Sequence, residues 1–476
     1  MVGAERRARG GRPRRWLVGA LLVTWGVLSG LARTGAAAQW GPALGGLPPV
    51  AAGRELGLGL GLGWAHYSPE DYLELLLGLS HRQPGLRLGL AAPLRLDLDT
   101  GGLRAADWDE PRDIVHVVRT FELHERGDPW HLQLGELASL TLGHGTLVDQ
   151  VFPSLDPELP RTGLLADFQR GRGGAELLVD DLLEPGLVGG RLFYRPGRSP
   201  ASAGSSAPER LLFGATVAFD LDAPTALLHQ TPPPGEPAAG SVAAFYVLDA
   251  SGRPRVARST LLPLLGLDAT YALVTDPRAQ LLAYGDLNGL LPHGAGLHLG
   301  LLLATRPLPR LLGAVRLEYR LASAGYVPGY AGTLYHLERT GLTGTPRATT
   351  LDAASRGQGF LGELAVTLDE LCSLALRWEQ QQGWPGGIFA ARFELPGPGP
   401  LRGGLFYRRT GVDAPAALFG LDDALLLGEL RAQLTPLVYL EGHLGRLWRL
   451  DPAPRHGHVY RAVWLGGAAL GLSLMF

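Results

Sequence analysis

The chain has 476 residues, of which 46% are hydrophobic and 18% are charged, and its formal charge is −2 at pH 7. Arginine supplies every cationic side chain other than histidine, because the sequence contains no lysine. No basic stripe interleaved with aromatic residues occurs, which argues against a nucleic-acid partner. The single cysteine excludes an intrachain disulfide.

The first residues have the layout of an export signal. Six arginines precede Trp16, an apolar stretch continues to Leu31, and residues 36–38 form a small-x-small cleavage pattern. The apolar stretch is shorter than the roughly 20 residues of a spanning helix, which favours a cleaved signal over a retained anchor. We therefore expect a signal peptide at 1–38, followed by a short periplasmic segment at 39–55.

Strand-like alternation recurs through the remainder of the chain. No uncharged apolar run there reaches spanning-helix length, so a membrane-spanning form must satisfy its backbone hydrogen bonds in a closed sheet. Apolar side chains occupy every second position in Leu58–Trp64 and Val315–Arg320, with glycine or charged residues between them. This spacing is typical of strands with a lipid-facing and a lumen-facing side. The sequence predicts an all-β fold, a transmembrane antiparallel β-barrel of about 20 strands (about 18–22), over residues 56–476.

The predicted connections alternate in length, as barrel turns do. Short turns at one end of the barrel, such as 305–310 and 396–400, alternate with longer loops at the other end, such as 411–422 and 322–356. The alternation fails between residues 220 and 268, where two long stretches rich in Pro, Gly and Ser fall on opposite ends. The strand assignment of 220–268 therefore stays open.

The last predicted strand is amphipathic and ends on an aromatic residue. A half-buried strand of a soluble sandwich would carry charges on its outer face between Val463 and Met475, and glycine and alanine occur there instead. Its alternate apolar positions resemble the signal that the assembly machinery of outer-membrane β-barrels reads; they are Tyr460, Trp464, Leu470, Leu472, Leu474 and Phe476.

Three polar residues near one glycine-rich segment are weak site candidates. His144 lies between two glycines, where it can occupy a tight turn, and Glu136 and Asp149 are near it in sequence. A metal site or an acid–base pair can be built from these three side chains. The simpler interpretation is that a strand continues through Leu140 and Leu142 with a bulge near Glu136, and that the glycines mark its end.

Two further features have a functional and a plainer interpretation. Asp180 and Asp181 form an acidic pair that suits a calcium site or a cation bridging lipopolysaccharide, although a solvated acidic loop or a part of the lumen wall is the simpler expectation. His298 is expected to be a solvated loop histidine. The tyrosine-rich segment 324–335 is expected to be an ordinary surface loop, the alternatives being a segment folded into the pore or a contact for a surface partner.

Enzymatic motifs are missing from the sequence. No Gly-x-Ser-x-Gly elbow and no phosphate-cradling loop occurs, and the glycines of 57–63 lie in a strand pattern rather than before a helix. We therefore expect neither an enzyme nor a bound cofactor.

The export signal, the alternation and the terminal aromatic together resemble Gram-negative outer-membrane β-barrels over nearly the full mature chain. The segments Leu142–Thr146 and Val179–Asp181 also resemble uncharacterised large barrels of GC-rich bacteria. This resemblance implies location in the outer membrane after general secretory export, since a barrel must stay unfolded until it reaches lipid. It further implies contact with lipid, lipopolysaccharide and the barrel-assembly machinery.

Two functions remain open at this level. The leading hypothesis is a passive porin-like channel or transporter for a small solute, because charged residues on the inner face imply a wet interior. The alternative is a structural or adhesive barrel that binds a partner through its outer loops, chiefly 322–356.

Overall fold

Twenty strands form one closed antiparallel barrel. The computed structural model describes residues 55–67, 70–126, 128–137, 139–156, 159–197, 210–229, 246–248, 253–276, 278–340, 345–369, 371–395, 400–421, 424–450 and 460–475. Within those ranges each strand pairs with its neighbours in sequence, and the last strand pairs with the first. The predicted fold class and a strand number of about 20 are confirmed.

The strands vary in length and continue around the barrel in chain order. They are β1 (Glu55–Tyr67), β2 (Glu70–Gln83), β3 (Leu86–Asp97), β4 (Val118–Leu123), β5 (Trp130–Gly135), β6 (Gly163–Arg170), β7 (Gly173–Val179), β8 (Leu187–Tyr194), β9 (Leu211–Leu227), β10 (Val256–Asp276), β11 (Ala279–Leu290), β12 (Gly294–Leu308), β13 (Leu311–Ala322), β14 (Gly357–Leu368), β15 (Cys372–Gln381), β16 (Gly387–Leu395), β17 (Leu401–Val412), β18 (Ala424–Gln433), β19 (Val438–Leu450) and β20 (Tyr460–Met475). Helical turns occur in the connections between strands, as α1 (Pro111–His116), α2 (Tyr335–Glu338) and α3 (Arg347–Thr350), with 3₁₀ turns at Ala105–Asp107 and Pro415–Ala417.

The two ends of the barrel differ. We call the end where β1 begins and β20 ends the terminal rim, and the opposite end the loop rim. Short turns such as 309–310 and 434–437 lie at the terminal rim, while long connections such as 98–117 and 323–356 lie at the loop rim. The predicted alternation of short and long connections is therefore confirmed for most of the barrel.

The region 220–268 also has a plain explanation. Here β9 continues through Asp220 to Leu227, β10 begins at Val256, and these two strands pair directly with each other. Residues 228–255 are therefore one connection at the loop rim, rather than two stretches on opposite ends of the barrel.

The outer wall of the barrel is an apolar belt. Strand residues that point outward and are at least 40% exposed include Leu58, Leu60, Leu62, Leu192, Leu267, Leu287, Leu301, Leu317, Leu364, Leu374, Leu440, Leu470 and Leu472. On β13 the intervening side chains of Arg316, Glu318 and Arg320 point inward and are 2–3% exposed. An apolar exterior around a charged interior is the inverse of a soluble protein and is the distribution of a lipid-embedded barrel.

Aromatic side chains border this belt at both rims. Trp64, Phe360 and Trp378 lie near the loop rim, and Trp130, Phe168, Tyr194 and Phe213 lie near the terminal rim. A strand of 12 residues such as β14 extends about 40 Å and, tilted by about 40°, covers a height of roughly 30 Å. That height matches a hydrocarbon layer flanked by two aromatic girdles.

Some sequence-based expectations concern residues outside those described. The signal peptide 1–38, most of the segment 39–55 and the terminal Phe476 belong to this group. Of the candidate assembly signal, Tyr460 begins β20, Trp464 is half-buried, and Leu470, Leu472 and Leu474 point outward and are exposed.

One predicted strand is wrong. The structure ends β5 at Gly135, which has φ +114° and whose missing Cβ would lie 2.5 Å from the backbone oxygen of Arg119. The expected continuation through Leu140 and Leu142, with a bulge near Glu136, does not form. The described residues of 136–162 turn into the lumen instead.

No helix among the described residues is long and apolar enough to cross a membrane.

Barrel closure can be tested with a disulfide across the β1–β20 seam. Leu60 and Leu472 are direct partners in this pairing, and directly opposed residues have Cβ atoms about 4.5–5.5 Å apart. In a Cys372→Ser background, Leu60→Cys with Leu472→Cys should crosslink on oxidation and alter the mobility of the heated, unreduced protein on gels. The control pair is Leu60→Cys with Val438→Cys, which are in register but two strands apart, roughly 9–10 Å. Efficient crosslinking of the control, or none of the seam pair, would contradict the closed order.

Candidate functional site

Two long connections from the loop rim fold into the barrel. We call residues 136–162, between β5 and β6, the first insert, and residues 323–356, between β13 and β14, the second insert. Both carry side chains that are almost fully buried, including Val148, Val151 and Tyr335. The candidate site is the lumen that these inserts fill.

The first insert is a hairpin held against the inner wall. Leu140 and Val151 exchange two backbone hydrogen bonds of 2.8 and 2.9 Å. Gly143 and Gly145 have φ of +56° and +75°, and a Cβ on Gly145 would lie 2.5 Å from Asp149 Oδ1. The glycines around His144 therefore form the tight turn that the sequence allowed, and the alternative of a strand end is wrong.

Apolar contacts secure the first insert on both sides of the lumen. Its leucines and valines join an apolar cluster with inward residues of β6 to β11. Further along, Phe152 stacks on Phe406 of β17 at a centroid distance of 6.3 Å. The insert thus crosses the barrel from one wall to the other.

The second insert packs beside the first. The amide of Asp149 donates to the carbonyl of Ala331 at 2.9 Å, within a parallel bridge between Val148 and Ala331. Tyr326, Tyr330 and Tyr335 are 0–2% exposed. The tyrosine-rich segment therefore folds into the pore, and the expected surface loop is wrong.

The turn of the first insert places the imidazole of His144 in a polar network on the inner wall. His144 Nδ1 lies 2.8 Å from Asp286 Oδ1, and His144 Nε2 lies 2.9 Å from Thr270 Oγ1. The Thr146 hydroxyl donates to the other Asp286 oxygen at 2.7 Å. The ring also stacks on Tyr284, with centroids 4.2 Å apart.

Asp268 approaches the same network and completes a set with metal-ligand chemistry. Ligand atoms of His144, Asp268 and Asp286 lie within 4.8 Å of one another. Arg191, however, donates to both oxygens of Asp268 at 2.9 and 2.7 Å, and both nitrogens of His144 already have partners. Since a guanidinium repels a cation and every ligand atom is satisfied, the set is better explained as a structural polar network.

A second network of arginines and carboxylates covers the wall from β13 to β15. Glu318 accepts from Arg316 and Arg320, both at 2.6 Å, and Arg320 also donates to Glu379 at 2.8 Å. Arg377 donates to Glu363 at 2.9 Å. Charges of opposite sign alternate here, so that each buried ion has a partner and the desolvation penalty is offset.

This network extends to the inserts. Arg377 of β15 pairs with Asp149 of the first insert, and Gln150 donates to Glu363 at 3.3 Å. His298 lies between Glu318 and Tyr326 of the second insert, at 2.9 and 2.8 Å. The expectation that His298 is solvated is therefore wrong, because it is fully buried inside the barrel.

Free space beside this network is small. A cavity of about 20 Å³ lies among Gln150, Arg316, Glu363, Arg377 and Arg392. Such a volume accommodates about one water molecule. In the described conformation the lumen is thus closely filled at this level.

The second insert is also tethered to β9. The Tyr330 hydroxyl donates to Asp220 Oδ2 at 3.0 Å, and Arg339 Nη2 lies 3.1 Å from Asp220 Oδ1. Asp220 is fully buried and Arg339 largely so. This carboxylate is a buried charged anchor of the segment around α2.

Glu136, His144 and Asp149, the three weak candidates, do not meet in one site. Glu136 pairs with Arg119 of β4, while Asp149 pairs with Arg377 on β15. Burial raises the pKa of the Glu136 carboxyl, and the adjacent Arg119 opposes that shift. Burial likewise raises the pKa of Asp149, against the charge of Arg377.

The acidic pair in the β7–β8 connection is not a solvated loop. Asp180 is fully buried, and its Oδ1 accepts from the amides of Asp181, Gly186 and Leu187 at 2.9–3.0 Å. Its other oxygen lies 3.2 Å from His336 Nε2 of the second insert. Asp181 Oδ2 lies 3.6 Å from Arg161 Nη1. Asp180 thus stabilises the β7–β8 connection and faces the second insert, while Asp181 faces the first insert.

The sequence pattern predicts that charged strand residues such as Arg316 and Glu318 point inward. It does not predict which insert residue contacts which wall residue, because partners such as His144 and Asp286 are 142 residues apart. No local pattern identifies such a contact.

Comparisons with known proteins return only distant likeness. The sequence matches no protein-family model, and no curated protein matches it. The outer membrane protein OpdK of Pseudomonas aeruginosa aligns at 11% identity and TM-score 0.33, over 89% of this chain and 98% of that one. P. aeruginosa OccK2 (OpdF), solved with glucuronate, aligns at 13% and 0.30, over 89% and 97%. Wzi of Escherichia coli, a carbohydrate-binding β-barrel of capsule assembly, aligns at 11% and 0.32, over 88% and 84%.

The anchor at Asp220 can be tested by limited proteolysis. Asp220→Asn keeps an acceptor for Tyr330 but removes the buried carboxylate partner of Arg339, which then retains the exposed Asp222, at a cost of roughly 1.5–3 kcal/mol. Trypsin should then cleave after Arg339 or Arg347 at least 10-fold faster than in the wild type, with unchanged heat-modifiable gel mobility. Asp276→Asn, at the exposed β10–β11 turn, serves as control. Equal cleavage rates in the two variants would contradict the anchor.

The buried carboxyl of Asp180 predicts a pH dependence. Burial raises its pKa from 3.8 to about 6, although Arg161 and the amides of Leu187 and Gly186 act in the opposite direction. A raised pKa in the folded state stabilises the folded protein below the unfolded pKa, and this contribution is lost as pH rises through about 6. Between pH 7.5 and 4.5, wild-type stability should rise by about 1–3 kcal/mol relative to Asp180→Asn.

Urea unfolding of the lipid-reconstituted protein, followed by tryptophan fluorescence, measures this difference. Asn keeps the carbonyl acceptor for the loop amides, so Asp180→Asn isolates the titration. Exposed Asp99→Asn should retain the wild-type dependence. A parallel pH response of the wild type and Asp180→Asn would disprove the role of Asp180.

Proposed function

We propose that the protein is a porin-like channel of a Gram-negative outer membrane, which passes a small polar solute. The observation that carries this proposal is a closed barrel with an apolar exterior and a charged inner wall, typified by Leu317 outside and Arg316 and Glu318 inside. A charged inner wall is stable only where water or opposite charges compensate it.

The number of strands supports a transport role over a purely structural one. A barrel of about eight strands is already filled by its own side chains, whereas 16–18 strands leave an aqueous channel. With 20 strands this barrel encloses more space than anchoring requires. The two inserts then narrow that space, as a selective channel needs.

The contacts of the inserts suit reversible displacement. Several of them are polar contacts between an insert residue and a residue of the inner wall, such as His144 with Asp286, Arg339 with Asp220 and Gln150 with Glu363. Water can replace such partners when a segment shifts, whereas an apolar plug would gain nothing from hydration. We infer that solute passes when one insert moves within the lumen.

The proposed function also requires an orientation of the barrel in the outer membrane and a route of export. Short turns at the terminal rim support a periplasmic position for that rim, with the loop rim facing outward. We further propose a cleaved signal at 1–38, secretory export, and assembly directed by the alternate apolar positions from Tyr460 to Phe476. Contact with lipopolysaccharide would involve the outward leaflet near the loop rim.

We assign no catalysis to this barrel. His144 has both ring nitrogens occupied, and Glu136 and Asp149 have arginine partners of their own. The adhesive alternative relied chiefly on 322–356, of which Tyr326, Tyr330 and Tyr335 are buried inside the lumen. Binding of a surface partner would need the exposed residues of this segment or other outer loops.

Conductance in planar bilayers tests the channel directly. Ala322 and Gly357 are direct partners, so a two-residue Asn-Gly turn can replace residues 323–356 and close the β13–β14 hairpin. Removing the second insert widens the lumen, and the conductance of this variant should exceed that of the wild type several-fold.

A matched deletion at the same rim provides the control. The β17–β18 loop packs on the outer wall, where the Tyr407 hydroxyl lies within hydrogen-bond distance of the carbonyls of Leu418 and Gly420, at 2.6 and 2.7 Å. Replacing 414–421 by Asn-Gly should leave conductance at the wild-type level. If neither the wild type nor the insert deletion conducts, although both show heat-modifiable gel mobility, the proposed channel is overturned.

A further inference from the structure

A separate cavity of about 240 Å³ opens at the loop rim. Its walls come from the β3–β4 connection with α1, from Leu159–Arg161 of the first insert, from Asp181 and Glu184 of the β7–β8 connection, and from Arg253. Four segments distant in sequence thus converge on one space. It lies apart from the networks around His144 and Arg316.

The charged groups of this cavity compensate one another. Asp107 Oδ1 lies 2.9 Å from Arg95 Nη1 and 2.7 Å from Arg104 Nη1. Arg112 Nη1 lies 3.0 Å from Glu184 Oε1. Six arginines and six carboxylates line the walls in total. A ligand therefore meets fixed donors and acceptors but little net charge.

Two uncharged groups complete the lining. The Trp108 indole donates from Nε1 to the carbonyl of Pro93 at 3.1 Å, which fixes the orientation of a half-buried ring. His116 is 8% exposed, and its Nε2 has no hydrogen-bond partner among the described residues. Burial lowers the pKa of His116, so the imidazole is neutral at pH 7. Buried polar atoms normally have partners, and this one is left for a ligand or water.

We propose that this cavity binds one neutral, polyhydroxylated ring, that is, a single sugar residue. Hydroxyl groups both donate and accept, so they can use a wall on which guanidinium donors alternate with carboxylate acceptors. The apolar face of such a ring suits an oriented indole. A charged ligand would lack a countercharge, because the ion pairs are already formed. The volume is below the roughly 300–1,000 Å³ of pockets for drug-sized molecules, which fits one ring.

The site rests on the proposed function in one respect, the outward orientation of the loop rim. It would then collect solute at the mouth of the barrel. Binding is measured without transport, so its failure is distinguishable from failure of the channel. If the protein binds sugar but does not conduct, only the proposed channel is overturned. If it conducts but does not bind sugar, only this site is overturned.

The test is ligand-observed saturation-transfer NMR on the full mature barrel in a detergent without a sugar headgroup, at pH 7.5. The probes are glucose, glucuronate and glucosamine, which share one ring and differ by a carboxylate or an ammonium. Glucose should bind at least 10-fold more tightly than either charged probe. Trp108→Ala and His116→Phe should each weaken glucose binding at least 10-fold.

Two further variants make the result specific. Trp384→Ala removes a half-buried indole at the same rim but outside the cavity, and glucose binding should be unchanged. Glu184→Gln removes one of the two carboxylate partners of Arg112, the other being Glu110, and the preference should shift towards glucuronate by several-fold. Heat-modifiable mobility verifies the fold of each variant. Preference of the wild type for a charged probe, no glucose signal, or unchanged binding in Trp108→Ala would each overturn the proposal.

Discussion

Backbone hydrogen bonds that close on themselves are the constraint from which the rest of this structure follows. In hydrocarbon an unpaired amide or carbonyl has no water to bind, so an open sheet edge is not tolerated. Pairing of β20 with β1 removes that edge. Once the ring is closed, the period of two along each strand divides the side chains into an outer and an inner set. The leucines of the outer set meet lipid, and the charges of the inner set are enclosed.

Enclosure of those charges creates the second requirement, since a buried ion needs a partner or water. The walls supply part of the compensation through ladders such as Arg316, Glu318 and Arg320. The inserts supply the remainder through His144, Asp149 and Tyr330, each of which reaches a charged wall residue. The inserts are thus not an apolar plug alone, because their apolar cluster is bordered by hydrogen bonds that water can replace. That combination supports a narrowed channel.

The sequence predicts the structure correctly where its apolar residues recur with a regular period. Alternation in Leu58–Trp64 and Val315–Arg320 identified strands and faces, and glycine and proline marked most turns. It failed where residues leave the strand pattern. The stretch from Leu140 to Leu142 alternates as a strand would, yet it forms an inner hairpin after Gly135 ends β5. Tyr326, Tyr330 and Tyr335 looked like a surface loop because composition cannot distinguish the outside of a barrel from its lumen.

The sequence by itself determined the barrel, its approximate strand number and which side chains face lipid, because each of these depends on a local period of two and on turn residues. Only the tertiary structure decided that two loops occupy the lumen, that Glu136, His144 and Asp149 join three separate partners, and that Asp180 is buried. These outcomes depend on contacts between residues far apart in the chain, such as Asp149 with Arg377. Closure of the ring brings such residues together, and a linear pattern carries no record of which loop turns inward.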